Sequence, residues 1–388
     1  MNKLTRISLL SVSLLVVSAG AIAGNIPAIA QTYPTINEML IELLTTLPSL
    51  FIILTILISP KIGRKIGYKR TVQLGISIVL VAGLIPIFVK SFSILFFSRI
   101  LFGVGVGLFN PLLYAIASNL YSGSKLATVI GMQSAFEGVG GMLITFLVGQ
   151  LLIVNWRFSF SVYLIALPIL IVFSLFVPET KVIPLKKREE QKERTIDGAF
   201  IKYLVLVFVT VTVYMSVAVK VTSLLYFKGI GDATDGSNLL ALVGFGAMTA
   251  GMFFGKTVRL LKKWTIFVSF ICMSTAMLLL AIAPNMLIAS IAVVICGLSF
   301  RTFIPYVFNE INQSSKNAEA NTSKLLIFFN IGTAFTPITI SLLQKAFPFL
   351  NQSGLFYGEA LLMLVLALLL PIVEKSFLNT KEFSKKGR

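Results

Sequence analysis

Apolar runs of helix-spanning length, separated by short polar stretches, repeat from one end of the chain to the other. They fall near 5–24, 38–58, 71–89, 92–117, 127–153, 159–177, 200–226, 238–258, 264–283, 286–308, 322–346 and 355–373. About 20 apolar residues in a helix cross a hydrocarbon core of ~30 Å. In lipid the backbone must hydrogen-bond to itself, which restricts spanning segments to helices and closed barrels. The pattern predicts an all-α membrane protein with twelve transmembrane helices. The runs at 5–24 and 238–258 support it least, because Gly, Ala and Ser dilute them.

The polar stretches add a direction. Most of the 33 Lys and Arg occupy alternate loops: Lys3 and Arg6, Lys61 to Arg70, Lys125, Lys181 to Lys202, Lys256 to Lys263, Lys316 and Lys324, and the tail from Lys375. The other side holds Lys90, Arg157, Lys228 and Lys345. Cytoplasmic loops collect Lys and Arg, so both termini are expected in the cytoplasm and the protein in the plasma (inner) membrane. This distribution also argues against nucleic acid as the reason for a net charge of +18. With 56% hydrophobic and 12% charged residues, the chain has no room for a large soluble domain. Lys3 and Arg6 before an apolar core ending Ala21-Ile22-Ala23 also fit a cleaved leader. Removing that run would reverse every later loop relative to its charge, so it reads as the first span.

One hydrophilic stretch is long. Pro178-Glu179-Thr180-Lys181 and then Lys186-Lys187-Arg188-Glu189-Glu190 open a charged linker, 181–199, between two halves, 1–180 and 200–388. Each half would hold six spans. The basic loops after the second span of each half, 61–70 and 255–263, echo one another. Two related bundles around a mid-membrane site are the sequence trace of a transporter.

Four segments carry a family likeness. The loop Gly63-Arg64-Lys65-Ile66-Gly67-Tyr68-Lys69-Arg70 is similar to a first-loop signature of an acidic residue followed by Arg-x-Gly-Arg-Lys, with Arg64 at the acidic position. Arg99-Ile100-Leu101-Phe102-Gly103-Val104-Gly105-Val106-Gly107 is similar to Arg-x-x-Gln-Gly-x-Gly. Trp156-Arg157 with Phe160, and Pro178-Glu179-Thr180, match the two ends of the sixth span. Together they resemble the major facilitator superfamily over essentially the whole chain. The resemblance implies a monomeric secondary transporter whose two six-helix bundles rock about a substrate. Drug–proton antiporters of that family carry Gly-Pro-x-x-Gly-Gly in the fifth span. Here Phe136-Glu137-Gly138-Val139-Gly140-Gly141 keeps the glycine pair only, and Ser18 stands near the position of an acidic residue found in exporters.

An ionisable group inside a span costs about 3 kcal/mol or more unless paired or hydrated, so each is a functional candidate. Glu137, near the middle of span 5, is the candidate for proton coupling: burial there disfavours its charged form and a nearby cation favours it. The alternative is a structural pair with Arg99 of span 4. Arg99 is itself either an architectural or gating cation bonded to helix carbonyls or a substrate contact. Lys220 and Arg301 lie in spans 7 and 10, which line the cavity in the resembled family, and would favour an anionic substrate; for Lys220 the alternative is snorkelling to the interface. Asn110, Tyr114, Tyr214, Tyr306 and Asn330 are polar candidates for the cavity wall. Glu359 reads as interfacial, Glu38 and Glu42 as hydrated at the outer mouth, and Cys272 and Cys296 as core residues. Gly103, Gly105, Gly107, Gly138, Gly140, Gly141, Gly251 and Gly255 allow close helix approach. In the family spans 5 and 8 meet across the bundle interface, where small residues would let the halves slide.

There is no histidine, no phosphate-binding glycine loop and no metal-ligand spacing, so the residues suggest no enzyme and no cofactor. The expected activity is alternating-access transport of a small molecule, first as proton-coupled export of drugs or metabolites, powered by the proton gradient. Uptake of a small anionic nutrient is the alternative, and a non-transporting membrane receptor or assembly protein a third. The lipid bilayer is the one expected partner besides the substrate.

Overall fold

The computed structural model describes residues 3–121, 123–179, 198–314 and 318–386. Thr180 and nearly all of the expected linker lie outside the described residues. The first half comprises α1 (Lys3–Ser13), a 3-10 segment (Ser18–Asn25), α2 (Ile26–Thr32), α3 (Glu38–Ile66), α4 (Tyr68–Phe88), α5 (Phe92–Leu120), α6 (Gly123–Leu152), a second 3-10 segment (Phe158–Ile165) and α7 (Ala166–Phe176). The second comprises α8 (Gly198–Lys228), α9 (Ala233–Leu261), α10 (Thr265–Ile282), α11 (Met286–Ser314), α12 (Ala318–Ala346) and α13 (Gln352–Lys386). No strand occurs among the described residues.

Among the described residues ten segments could cross a membrane by length and composition, or eleven if the pair Lys3–Ser13 and Ser18–Thr32, bent by 43°, is one span. One of the ten, Ala233–Ile282, is 50 residues long and contains both α9 and α10, separated by a 3-10 turn at Lys262–Trp264. The helical segment expected to end at residue 24 therefore continues to Thr32 and is bent.

Local chemistry sets the helix ends. Asn37 caps α3, its side chain accepting from the Met39 amide at 2.9 Å. Asp232 and Asp235 form a reciprocal capping box at the start of α9. Arg64 and Lys65 in the last turn of α3 complement its dipole. Gly67 then turns the chain into α4 with φ of 97° and ψ of 147°, a conformation open essentially to glycine alone.

Each half has its own core. Phe102, Phe109, Phe160, Tyr163 and Phe173 centre the first, and Phe270, Phe303, Phe356 and Met277 the second. The halves meet along two seams, α6 with α9 and α3 with α12. Several contacts tie them at the end opposite the basic loops. Gln150 Nε2 donates to Asn238 Oδ1 at 3.2 Å, and a methyl added at Gly149 would lie 2.7 Å from Ser237 Cβ. Thr46 Oγ1 donates to the Ala334 carbonyl at 3.3 Å, and Lys220 of α8 pairs with Glu42 and Glu38 of α3. Halfway along, a methyl at Gly244 would meet Met142 Cβ at 3.3 Å. Gly138 is one turn from Met142, and Gly251 two turns from Gly244, so they continue the touching faces toward the basic end. Gly138, Gly251 and Gly255 have nothing within 4 Å of an added methyl. The α6–α9 seam is closed at one end and widens toward the other.

Candidate functional site

Glu137 and Arg301 both fall near the midpoint of their helices, α6 in the first half and α11 in the second. Tyr114 of α5 donates its hydroxyl hydrogen to Glu137 Oε1 at 3.2 Å. Arg301 is within electrostatic range of Glu137, of Tyr114 and of Tyr214 on α8. Two groups from one half and two from the other thus converge at the junction. Glu137 and Arg301 are half-buried and Tyr114 is 36% exposed, so the cluster faces open space rather than a sealed core. Asn110, one turn before Tyr114, is half-buried with an Oδ1 that has no hydrogen-bond partner.

The local backbone is adapted to this. Pro305, four residues after Arg301, cannot supply the amide that the Arg301 carbonyl would accept from in an unbroken helix. Next to the cation, Phe300 stacks on Tyr214 with centroids 3.7 Å apart and planes 6° from parallel, and Phe329 of α12 lies 6.1 Å from Phe300. Tyr214 is among the residues expected from the sequence, whereas Phe300 and Phe329 are not. Their signal was adjacency: Phe300 immediately precedes an intramembrane arginine. Tyr306 is half-buried on α11, and Asn330 Nδ2 donates to the Leu326 carbonyl of its own helix at 2.8 Å. The pocket along the α6–α9 seam, lined by Met142, Leu143, Phe146, Leu242 and Phe245 among others, contains no charged side chain and is no candidate for this chemistry.

Arg99 belongs elsewhere. It is fully buried within the first half, with Nε donating to the Leu44 carbonyl at 3.1 Å and an Nη donating to the Ala19 carbonyl at 2.6 Å. Pro48 explains the first bond, because the Leu44 carbonyl loses its helical donor to that proline. The broken first span explains the second. Phe102 lies 4.6 Å from the guanidinium, and Tyr163 donates to the Ser18 carbonyl at 3.0 Å in the same break. Arg99 is therefore not paired with Glu137 and lines no open cavity.

Three further expectations change. Lys220 is 3% exposed and is neutralised by Glu42 and by Glu38, 3.0 Å away, so it adds no free positive charge to the site and does not snorkel. Glu42, 1% exposed, is buried rather than hydrated. Glu359 is 8% exposed beside Ser216 of α8, not interfacial. The glycines also divide. Gly103 packs on Pro48, Gly105 on Gly75 and Val79, and Gly107 on Ile52 and Thr55. Gly140 and Gly141 face Leu14 and Val17 of the first span, so they pack within one half instead of on the seam. Gly149 and Gly244 hold the seam positions.

In the first-loop motif, Gly63 packs on Tyr68, and Arg64, Lys65 and Arg70 flank the turn at Gly67. The Lys69 amide donates to Glu179 Oε1 at 3.3 Å. The acidic group at this corner thus comes from just beyond α7, 110 residues from Lys69, rather than from position 64.

The sequence profile described as Major Facilitator Superfamily matches residues 8–337. No curated protein matches the chain. Among solved structures, a POT family transporter in complex with 5-aminolevulinic acid superposes with a TM-score of 0.75 at 13% identity, covering 95% of both chains. A D-xylose–proton symporter gives 0.68 at 14% identity over 94% of this chain and 96% of its own. The human organic anion transporter MFSD10 gives 0.63 at 14% identity over 95% of this chain and 100% of its own. At such identities the likeness is one of fold.

Proposed function

The chain belongs to the major facilitator superfamily, and from that premise we propose that it carries a small carboxylate-bearing organic molecule together with a proton. It is a multi-pass membrane transporter and not an enzyme. The reading rests on one observation: Arg301 of one half stands in electrostatic range of Glu137 of the other, with Tyr114 bonded to that carboxylate. While Glu137 is ionised it offsets the charge of Arg301 across the junction. A proton on Glu137 removes that offset and leaves Arg301 to bind a carboxylate. Proton and anion then favour one another's binding, and the coupling is reciprocal. Co-binding of this kind moves the anion with the proton, inward under an ordinary gradient.

Export is the second reading, favoured by the Tyr214–Phe300–Phe329 rings, which suit a lipophilic cation. Such a cation would compete with the proton for Glu137, and competition drives antiport. Proteoliposomes under an imposed pH gradient, offered small organic anions and lipophilic cations, separate the two. In the first reading wild type accumulates an anion, Glu137→Gln loses gradient-driven accumulation but still exchanges substrate, and Arg301→Gln loses both. Accumulation by Glu137→Gln equal to wild type would overturn it.

We further propose twelve crossings, counting the bent pair at the start as one span and Ala233–Ile282 as two. The basic loops then face the cytoplasm, as do both termini, in the plasma membrane of a monomeric carrier powered by the proton gradient alone. In this orientation the closed end of the α6–α9 seam is the outer one. Tags at the two termini that report on opposite sides of the membrane would remove this topology.

A further inference from the structure

Glu359 lies on α13 inside the second core, at its contact with α8. Its Oε2 is 2.8 Å from Ser216 Oγ, and the same Oγ is 2.7 Å from the Val213 carbonyl. A serine hydroxyl has one hydrogen, and a backbone carbonyl can only accept. The two contacts need two hydrogens, and Ser216 supplies one of them. The second hydrogen must come from elsewhere in this chain of three oxygens, and the carboxyl is the group left to provide it. Were Glu359 ionised, two oxygens would face each other lone pair to lone pair at hydrogen-bond distance, with a net charge among apolar side chains.

Among the described residues the surroundings offer no counter-charge. From α8, Lys220 is one turn beyond Ser216 and is held by Glu42 and Glu38. From α10, Ser274 donates to the Ala360 carbonyl at 2.7 Å. From α11, the ionisable group within electrostatic range is the Cys296 thiol, which is buried and neutral in such a core.

We infer that Glu359 is a proton-binding site separate from Glu137, whose bound proton joins α13 to α8 by donation to Ser216. Loss of that proton would demand hydration of the carboxylate and part the two helices. Because α8 also carries Lys220, this site acts on the helix that ties the second half to α3 at the closed end.

The test uses the purified full chain in detergent, with no transport measurement, so its outcome is independent of the proposed activity. The background is Glu137→Gln, which removes the proposed coupling proton. In that background the infrared carbonyl absorption of a protonated carboxylic acid should be present at neutral pH and lose one component on adding Glu359→Gln. The folded chain holds a proton that an unfolded glutamate releases, so melting temperature should fall as pH rises from about 6 to about 9, and less steeply with Glu359→Gln. If Glu359→Gln does not fold, Ser216→Ala serves instead: the acid band should shift as its acceptor is lost. An acid band unchanged by the Glu359 substitution, or by Ser216→Ala where that variant is used, overturns the inference, as does a pH slope that Glu359→Gln leaves unaltered.

Discussion

At the residue scale, two positions set the stability of the first half for reasons of backbone chemistry. Among the described residues Arg99 has no carboxylate partner; it satisfies two carbonyls released by Pro48 and by the break after Ser13. Each buried carbonyl left without a donor costs about 1–3 kcal/mol. Arg99→Met should therefore sharply reduce the folded fraction and melting temperature, and Arg99→Lys should recover only part, since one ammonium cannot span both sites. Gly67→Ala should cost about 1–3 kcal/mol from φ alone. It would also push a methyl to 2.7 Å from Glu179 Oε1; thermal melts of both variants in detergent check this. Intramembrane charge made Glu137, Arg301, Arg99 and Lys220 visible in the sequence. Their partners were not visible, because partnership is set by packing between segments far apart: Lys220 and Glu38 are 182 residues from one another. Glu42 and Glu359 were misread for the same reason. Proximity to a span end suggested water, while neighbouring helices bury both.

At the element scale, most spans were legible because lipid forces long apolar runs into helices. The break in the first span was not, since Gly, Ala and Ser there permit several backbone courses and packing chooses one. Glycine spacing was similarly incomplete as a guide. It marked small residues without saying which helix approaches them. Gly140 abuts the backbone of Leu14, so Gly140→Leu should lower the yield of folded protein by forcing span 1 away. Gly251→Ala, with nothing within 4 Å, should fold like wild type and gain slightly in helix propensity. Size-exclusion profiles of the two variants side by side would separate them; equal profiles would contradict the assigned packing.

At the scale of the whole molecule, the halves are held together at one end by Lys220 with Glu42 and Glu38, by Gln150 with Asn238, and by Thr46 with Ala334. Removing one member of a buried ion pair strands the other and is strongly unfavourable. Lys220→Met should thus weaken closure and raise the reactivity of a Ser237→Cys reporter toward membrane-impermeant thiol reagents. Restoring the balance with Glu42→Gln should lower it again. One charged stretch and an echoed basic loop suggest two halves in the sequence, but they carry no sign of which helices form the seams. The corner at Gly67 also joins elements distant in the chain. Glu179, just past α7, accepts from the backbone amide at the start of α4 there. One carboxylate thus rivets the last helix of the first half to the α3–α4 elbow, so a charge-neutral change at position 179 would unfasten the elbow while leaving Glu137 and Arg301 untouched.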